Sequence, residues 1–142
     1  MTLIPILISL LLAPKVEYIE VPVREYVNES LDEWELFNMA IIMTESMFDS
    51  DAVGSCEDRG LYQITPIFVA EVNRISGKSY THDDAFNVTK SLEMFSIMNP
   101  EHDIEKAIRR HNPGAGEWYA RKIKENMDFL RKYETVRNEL VN

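Results

Sequence analysis

A chain of 142 residues is long enough for one domain whose core needs no disulfide or metal to complete it. The formal net charge of −9 and the lack of any dense basic cluster argue against a nucleic-acid-binding surface. The single cysteine, Cys56, excludes an intramolecular disulfide, and Cys–His metal spacing is absent. We therefore expect neither a metal nor a cofactor.

Residues 1–13 form an uncharged apolar run, shorter than the roughly 20 helical residues that cross a bilayer. The run has the length of a signal-peptide core, although no Lys or Arg precedes it and Pro14 follows Ala13, where cleavage would fall. We predict an export or membrane-targeting signal, and the alternative is a strand or helix packed on the domain. With the proline-broken stretch that follows, residues 1–28 are predicted to be peripheral to a domain at 29–142.

The first helix of that domain is predicted to start at a capping box, with Ser30 as the N-cap and Glu33 as its partner. Apolar residues then recur at three- and four-residue spacing up to Met43. Glu45 lies at the end of this helix, and a polar loop at 48–59 follows it.

Four more helices are predicted from their start and stop signals. Thr65 and Pro66 are the expected N-cap and first residue of the second helix, which Gly77 ends. The third begins around 81–84, the fourth begins at 99–100, and a glycine-containing loop precedes the last. Their predicted apolar faces consist of Phe68, Val69, Val72 and Ile75; Phe86, Leu92, Phe95 and Met98; Ile104, Ala107 and Ile108; and Trp118, Tyr119, Ile123, Met127 and Leu130. Five helices with little strand predict an all-α or α-rich α+β fold.

Glu45 is the first candidate for chemistry because an apolar helix ends with it. The carbonyl dipoles at a helix C-terminus disfavour negative charge, and burial beside Ile41, Ile42 and Met43 would raise the carboxyl pKa further. An acid catalyst needs a pKa near ~6 instead of ~4.3, a difference of about 2.3 kcal/mol. The helix end supplies roughly 0.3–1 kcal/mol, so desolvation must supply most of the shift. The alternative is a solvated glutamate at the helix end.

Three short motifs begin at Glu45: E-S-M-F at 45–48, A-V-G at 52–54 and G-L-Y-Q-I-T-P at 60–66. Their order and spacing resemble the signature of lytic transglycosylases and goose-type lysozymes, which reads E-S-x-F/W, then A-x-S or A-V-G, then G-L-x-Q-I-x-P. Gly60 lies fifteen residues after Glu45, as in that signature.

A second segment, A-I-R-R-H-N-P-G-A at 107–115, is similar to the A-Y-N-A-G-P-G segment of the same family. The helix that follows, with Tyr119 and Lys122-Ile123, is similar to the family's Y-x-x-x-V helix. The resemblance covers about residues 34–130. It implies a lysozyme-like domain with a substrate cleft.

The resemblance also implies an enzyme that cleaves the β-1,4 bond between N-acetylmuramic acid and N-acetylglucosamine in peptidoglycan. Glu45 matches the acid that protonates the glycosidic oxygen and later acts as a base. The favoured route is that of a lytic transglycosylase, in which the sugar's own 6-hydroxyl attacks and a 1,6-anhydro product forms. A muramidase that uses water is the other route.

The other site residues implied by the resemblance bind substrate. Gln63 matches a cleft residue that bonds the sugar N-acetyl group or the surroundings of the acid. Gly60 matches a glycine that lets the backbone approach the substrate, with a plain turn glycine as the alternative. Asn112 shapes the cleft. Tyr62 fits a stacking or wall position and Tyr119 a position near the acid, although core packing is an alternative for both.

Three departures from the family pattern affect the predicted site. His111 replaces a tyrosine that usually touches the acid. If protonated, its imidazolium would lower the pKa of Glu45, whereas a neutral ring would still hydrogen-bond it; an exposed loop histidine is the alternative. Gly54 replaces a common serine, and the adjacent Ser55 is therefore a candidate substrate contact. N-A-G-P-G becomes N-P-G-A-G, which alters the loop backbone.

A second carboxylate is usual in glycosidases, but the resemblance implies that one can suffice. The loop after Glu45 offers four acids, and the sequence favours none of them: Asp49, Asp51, Glu57 and Asp58. The run H-D-D at 82–84 is predicted to be a helix start and not a metal site.

Two other classes of function remain open. A glycan-binding or structural module would keep the fold without turnover, and an unrelated helical interaction domain would leave Glu45 and Gln63 far apart. The predicted partner is the peptidoglycan glycan strand, with no nucleic acid and with membrane contact only through the N-terminal run. The predicted location is exported, in the periplasm or facing the cell wall.

Overall fold

The computed structural model describes residues 31–141, with side chains up to residue 136. Within this range, five α-helices and one 3-10 helix follow one another: α1 Glu33–Ser46, α2 Pro66–Ser76, the 3-10 helix His82–Phe86, α3 Val88–Met98, α4 Ile104–His111 and α5 Gly116–Val141. Extended pairing in the described range is limited to isolated bridges. The predicted all-α fold of five helices is therefore confirmed. The predicted segment 1–28 lies outside the described residues.

Helix α1 begins later than predicted. Its N-cap is Asp32, whose carboxylate accepts a hydrogen bond from the Glu35 amide at 2.8 Å, and the Glu35 carboxylate accepts one from the Asp32 amide at 2.9 Å. The expected box of Ser30 and Glu33 was wrong. Two overlapping boxes occur in this stretch of sequence, and the helix uses the second.

Helix α2 starts and ends as the sequence predicts. The Thr65 hydroxyl accepts a hydrogen bond from the Phe68 amide, Pro66 is the first helical residue, and Gly77 ends the helix with a φ of 69°. A proline at the first position and a left-handed glycine after the last are strong local signals.

The third and fourth helices begin later than predicted. The capping box of Thr81 and Asp84 starts the 3-10 helix, and α3 has its own N-cap at Asn87. Helix α4 is capped by Asp103 and not by the residues at 99–100.

The core is formed by residues of all five α-helices together with Tyr62 and Ile64 of the loop before α2 and Ala85 of the 3-10 helix. Three residues predicted to lie on apolar faces are exposed instead: Ile75, Leu92 and Trp118. No helix of the described range is both long and apolar enough to cross a membrane.

Helices α1 and α5 run antiparallel along each other. Polar contacts join them at three levels: Glu33 with Arg131, Thr44 with Asn126, and Glu45 with Tyr119. Just before α1, the Leu31 amide donates to Glu134. Buried Asn126 donates to the Thr44 hydroxyl at 2.8 Å. This pairing holds the C-terminal end of α1 against the first turns of α5.

Candidate active site

A cleft of about 260 Å³ lies at the C-terminal end of α1. Its lining comes from α1, from the loop between α1 and α2, and from the end of α4: Glu45, Cys56, Asp58, Gln63, Thr65, His111 and Asn112. The structure thus brings together four of the residues predicted from the sequence. Among the described residues, Cys56, Asp58 and Thr65 are additional members of the lining.

A larger groove of about 470 Å³ lies elsewhere, between α4 and α5. Its carboxylates, on Glu33, Glu105 and Asp128, are exposed. In the smaller cleft the side chain of Glu45 is mostly buried instead, which makes that cleft the candidate site.

The side chain of Glu45 is only 16% exposed. Burial raises its pKa above the usual value, a hydrogen bond from Tyr119 works in the opposite direction, and the nearby charge of Asp58 adds to the increase. The net direction is the one that the sequence predicts. Desolvation by burial is the largest cause of the increase in pKa, in agreement with the expectation that the helix end alone is too weak.

Tyr119 is buried on the first turn of α5 and donates its hydroxyl to Oε1 of Glu45. Burial and the negative charge of Glu45 both raise the pKa of the phenol, so it keeps its proton. Tyr119 is therefore a fixed donor beside the acid.

The side chain of His111 is 5% exposed, and its Nε2 lies 3.5 Å from Oε1 of Glu45. The rings of Phe68 and Phe95 meet the imidazole edge-on, at centroid distances of 6.0 and 5.7 Å. Burial lowers the pKa of His111 to about 4, against a smaller opposing effect of the Tyr62 backbone. The imidazole is neutral near pH 7, and the alternative of an exposed loop histidine was wrong.

Gln63 holds the loop together as well as lining the cleft. Its Nε2 donates to the carbonyls of Ala52 at 3.2 Å and Gly60 at 2.9 Å. Both donors of the amide are thus occupied, and its oxygen accepts no hydrogen bond from the described residues. That oxygen is available to an N–H donor of a ligand.

Asp58 is the one acid of the loop that lines the cleft with Glu45. The other three, Asp49, Asp51 and Glu57, are exposed. Nothing in the local sequence distinguished Asp58, because its selection depends on how the loop folds back onto α1.

Gly54 explains one departure from the family pattern. A Cβ at this position would lie 2.7 Å from Oε1 of Gln63 and 2.9 Å from Oδ2 of Asp58. The absence of a side chain lets these two polar groups share the space beside the cleft.

Two residues predicted to contact substrate lie in the protein interior. Gly60 is buried with a φ of 69°, and a Cβ there would lie 2.0 Å from the Ala85 carbonyl oxygen, so its close approach is to the 3-10 helix. Tyr62 is fully buried, stacks on Phe95 at 4.4 Å and donates to Asn38 at 2.9 Å. Neither residue lines the cleft.

Ser55 also lies outside the cleft lining. Its side chain is exposed, and its Oγ is 3.9 Å from Sγ of Cys56. Asn112 is exposed at the C-cap of α4 and lines the cleft.

Residues 82–84 take part in structural contacts. Nε2 of His82 lies 2.8 Å from the Ile64 carbonyl oxygen, and Asp83 pairs with Arg59. Within the part of the chain that the structure describes, His, Cys, Asp and Glu form no group of three or more able to hold a metal ion.

Comparison with known families gives one match, to the transglycosylase SLT domain, over residues 24–109. No curated protein and no solved structure matches the chain. The matched range includes Glu45 and Gln63 and stops just before His111. Since the match covers more than half of the 142 residues, the chain belongs to the transglycosylase SLT domain family.

Proposed function

We propose that this protein cleaves the β-1,4 bond between N-acetylmuramic acid and N-acetylglucosamine in peptidoglycan, with Glu45 as the general acid. Membership of the SLT family makes peptidoglycan the expected substrate. The observation that carries the proposal is a mostly buried carboxyl, with a raised pKa, in the lining of a cleft. We further propose that the protein acts on the exported side, in the periplasm or at the cell wall.

The proposed acid step uses the two carboxyl oxygens of Glu45 differently. Oε1 accepts a hydrogen bond from the hydroxyl of Tyr119, so the transferable proton belongs on Oε2. As the C1–O bond breaks, this proton moves to the leaving glycosidic oxygen and Glu45 becomes a carboxylate. The carboxylate then takes the proton of the attacking hydroxyl, which restores the acid.

We propose the lytic transglycosylase route, in which the attacking group is the sugar's own 6-hydroxyl. Asp58 would instead orient a water molecule if the protein were a hydrolase, because it is the loop acid that shares the cleft. The free oxygen of Gln63 is suited to accept a hydrogen bond from a sugar acetamido N–H.

Purified full-length protein should release muropeptides from insoluble peptidoglycan without added metal. Glu45→Gln should lower the rate at least roughly 100-fold, because the amide is close to isosteric but cannot supply the proton. Gln63→Ala should lower it less, since the acid remains. Glu57→Gln, an exposed acid of the same loop, is the matched control and should retain activity.

Mass spectrometry of the products tests the route. Anhydro-muramyl ends are expected. Reducing ends whose formation requires Asp58 would show that the protein is a hydrolase and not a lytic transglycosylase. Glycan binding without release of muropeptides would contradict both catalytic routes and indicate a non-catalytic binding module.

A further inference from the structure

We infer that His111 is a positioning residue of this site, held as the neutral tautomer with its proton on Nε2, and that it is a second donor to Oε1 of Glu45. Its effect on turnover rests on the proposed function. The tautomer is a property of the folded chain and does not depend on that proposal.

The environment of His111 offers it a single charged partner. Helices α2 and α3 present the rings of Phe68 and Phe95 to the imidazole. The titratable groups around the site are Glu45 on α1, which lies 3.5 Å from Nε2, Tyr119 on α5, which donates to that same carboxyl, and Asp58 in the cleft lining.

The two ring nitrogens differ in their partners. The backbone of Tyr62 lies beside the ring, but Nδ1 is buried and forms no hydrogen bond with it or with any other described residue, whereas Nε2 lies near Oε1 of Glu45. A neutral imidazole carries one proton. On Nδ1 that proton would be a buried donor without an acceptor, which costs more than a lone pair without a donor. The proton therefore belongs on Nε2.

The distance of 3.5 Å between Nε2 and Oε1 exceeds the usual range of about 2.7–3.2 Å for an N–H···O hydrogen bond. Hydrogen bonds of catalytic groups are often long before substrate binds and shorten in the complex. A small movement of the Glu45 carboxyl towards the ring would complete this bond.

Two donors on Oε1 have a chemical consequence. Oε1 already accepts a hydrogen bond from the Tyr119 hydroxyl. Once the carboxyl has moved towards His111, Oε1 would accept a second from the His111 N–H, which keeps the acid's proton on Oε2 and then stabilises the carboxylate left by proton transfer. A neutral N–H does this without the positive charge that would ionise Glu45 beforehand.

The first test is nitrogen NMR of the full chain labelled in histidine, between pH 5 and pH 8, with His111 assigned from the spectrum of His111→Gln. We expect a protonated Nε2 and an unprotonated Nδ1 throughout. An imidazolium, or a proton on Nδ1, at pH 6 would overturn the inference.

The second test compares His111→Gln with His111→Asn. The glutamine amide nitrogen reaches the place of Nε2, whereas that of asparagine reaches the place of Nδ1. Glutamine should retain activity within a few-fold, and asparagine should lose roughly tenfold to a hundredfold, the value of one hydrogen bond to a charged group. Equal losses in two variants with the same melting temperature as the wild type would contradict the inference.

A third measurement separates this inference from the proposed function. Carbon NMR of the Glu45 carboxyl should give a higher pKa in His111→Asn than in His111→Gln, because only glutamine still offers a donor to the carboxylate. If the wild type cuts no peptidoglycan but this pKa order holds, the proposed function fails and the role of His111 stands. An equal Glu45 pKa in the two variants overturns that role whatever the activity.

Discussion

The two walls of the cleft are built in different ways. The loop at 47–65 is held by backbone hydrogen bonds within itself, such as Gly54 amide to Asp58 carbonyl at 2.8 Å and Gly60 amide to Ala52 carbonyl at 2.9 Å. The other wall is the end of α4, with His111 and Asn112. The side chains of His111 and of Tyr119, which lies on α5 outside the lining, reach Glu45.

Because of this difference, substitutions in the loop should mainly affect stability, and substitutions of His111 and Tyr119 should mainly affect the protonation of Glu45. Substitutions that disturb the loop backbone should weaken the fold, because its conformation depends on glycines and on left-handed residues such as Gln63. Substitutions of His111 and Tyr119 should leave the backbone unchanged and alter the proton affinity of Glu45. The predictions that follow test this division, beginning with the largest expected effect.

Gly60→Ala should lower the free energy of unfolding by roughly 3 kcal/mol or more, the sum of left-handed strain and a backbone clash. The added Cβ would lie 2.0 Å from the Ala85 carbonyl oxygen. Gly77→Ala is the matched control, since its φ is also 69° but nothing lies within 4 Å of its Cβ. It should cost roughly 1–2 kcal/mol. Urea unfolding measures both, and equal losses would show that strain alone matters.

His111→Phe should remove part of the acid sensitivity of the protein. The pKa of His111 is about 4 in the folded chain and about 6.5 when unfolded. Between these values the unfolded chain binds more protons, so His111 makes stability fall as the pH is lowered from 6.5 to 4. The loss amounts to at most about 3 kcal/mol.

Thermal unfolding at pH 4.5 and pH 7 measures this effect. Relative to the wild type, His111→Phe should lose less stability on acidification. An unchanged acid dependence in His111→Phe would mean that the imidazole is not buried as a neutral group.

Substitutions of the two side chains that act on Glu45, those of Tyr119 and Asp58, should shift its pKa in opposite directions. Tyr119→Phe removes a hydrogen bond that lowers this pKa, so the pKa should rise. Asp58→Asn removes a negative charge that raises it, so the pKa should fall. Carbon NMR titration of the carboxyl reads both, with Asp51→Asn, an exposed loop acid, as the control. Shifts of the same sign would contradict the assigned causes.

The parts of this structure that were predictable from sequence are those specified by neighbouring residues. The caps of α2 at Thr65, Pro66 and Gly77 and the position of Glu45 at the end of α1 follow from local patterns. The start of α1 was not predictable in this way, because two overlapping capping boxes compete and local rules do not rank them.

The features of the site that the sequence did not indicate concern residues whose environment is formed by distant elements. Tyr62 stacks on Phe95 of α3, and Gly60 meets the carbonyl of Ala85 in the 3-10 helix, so neither reaches the cleft. The burial of His111 likewise depends on Phe68 of α2, a residue that its own neighbours in sequence do not predict. A motif identifies which residues matter but not which way each side chain faces.

Helix α5 also fixes a distance along the chain. Tyr119 and Asn126 are seven positions apart, nearly two turns, and both contact the last residues of α1. One residue inserted between them would rotate one contact about 100° out of phase with the other. The chain would then keep either the Asn126–Thr44 contact or the Tyr119–Glu45 contact, but not both. Insertions or deletions before Tyr119 or after Asn126 are therefore compatible with the site. Those between the two residues are not, because they change the helical register.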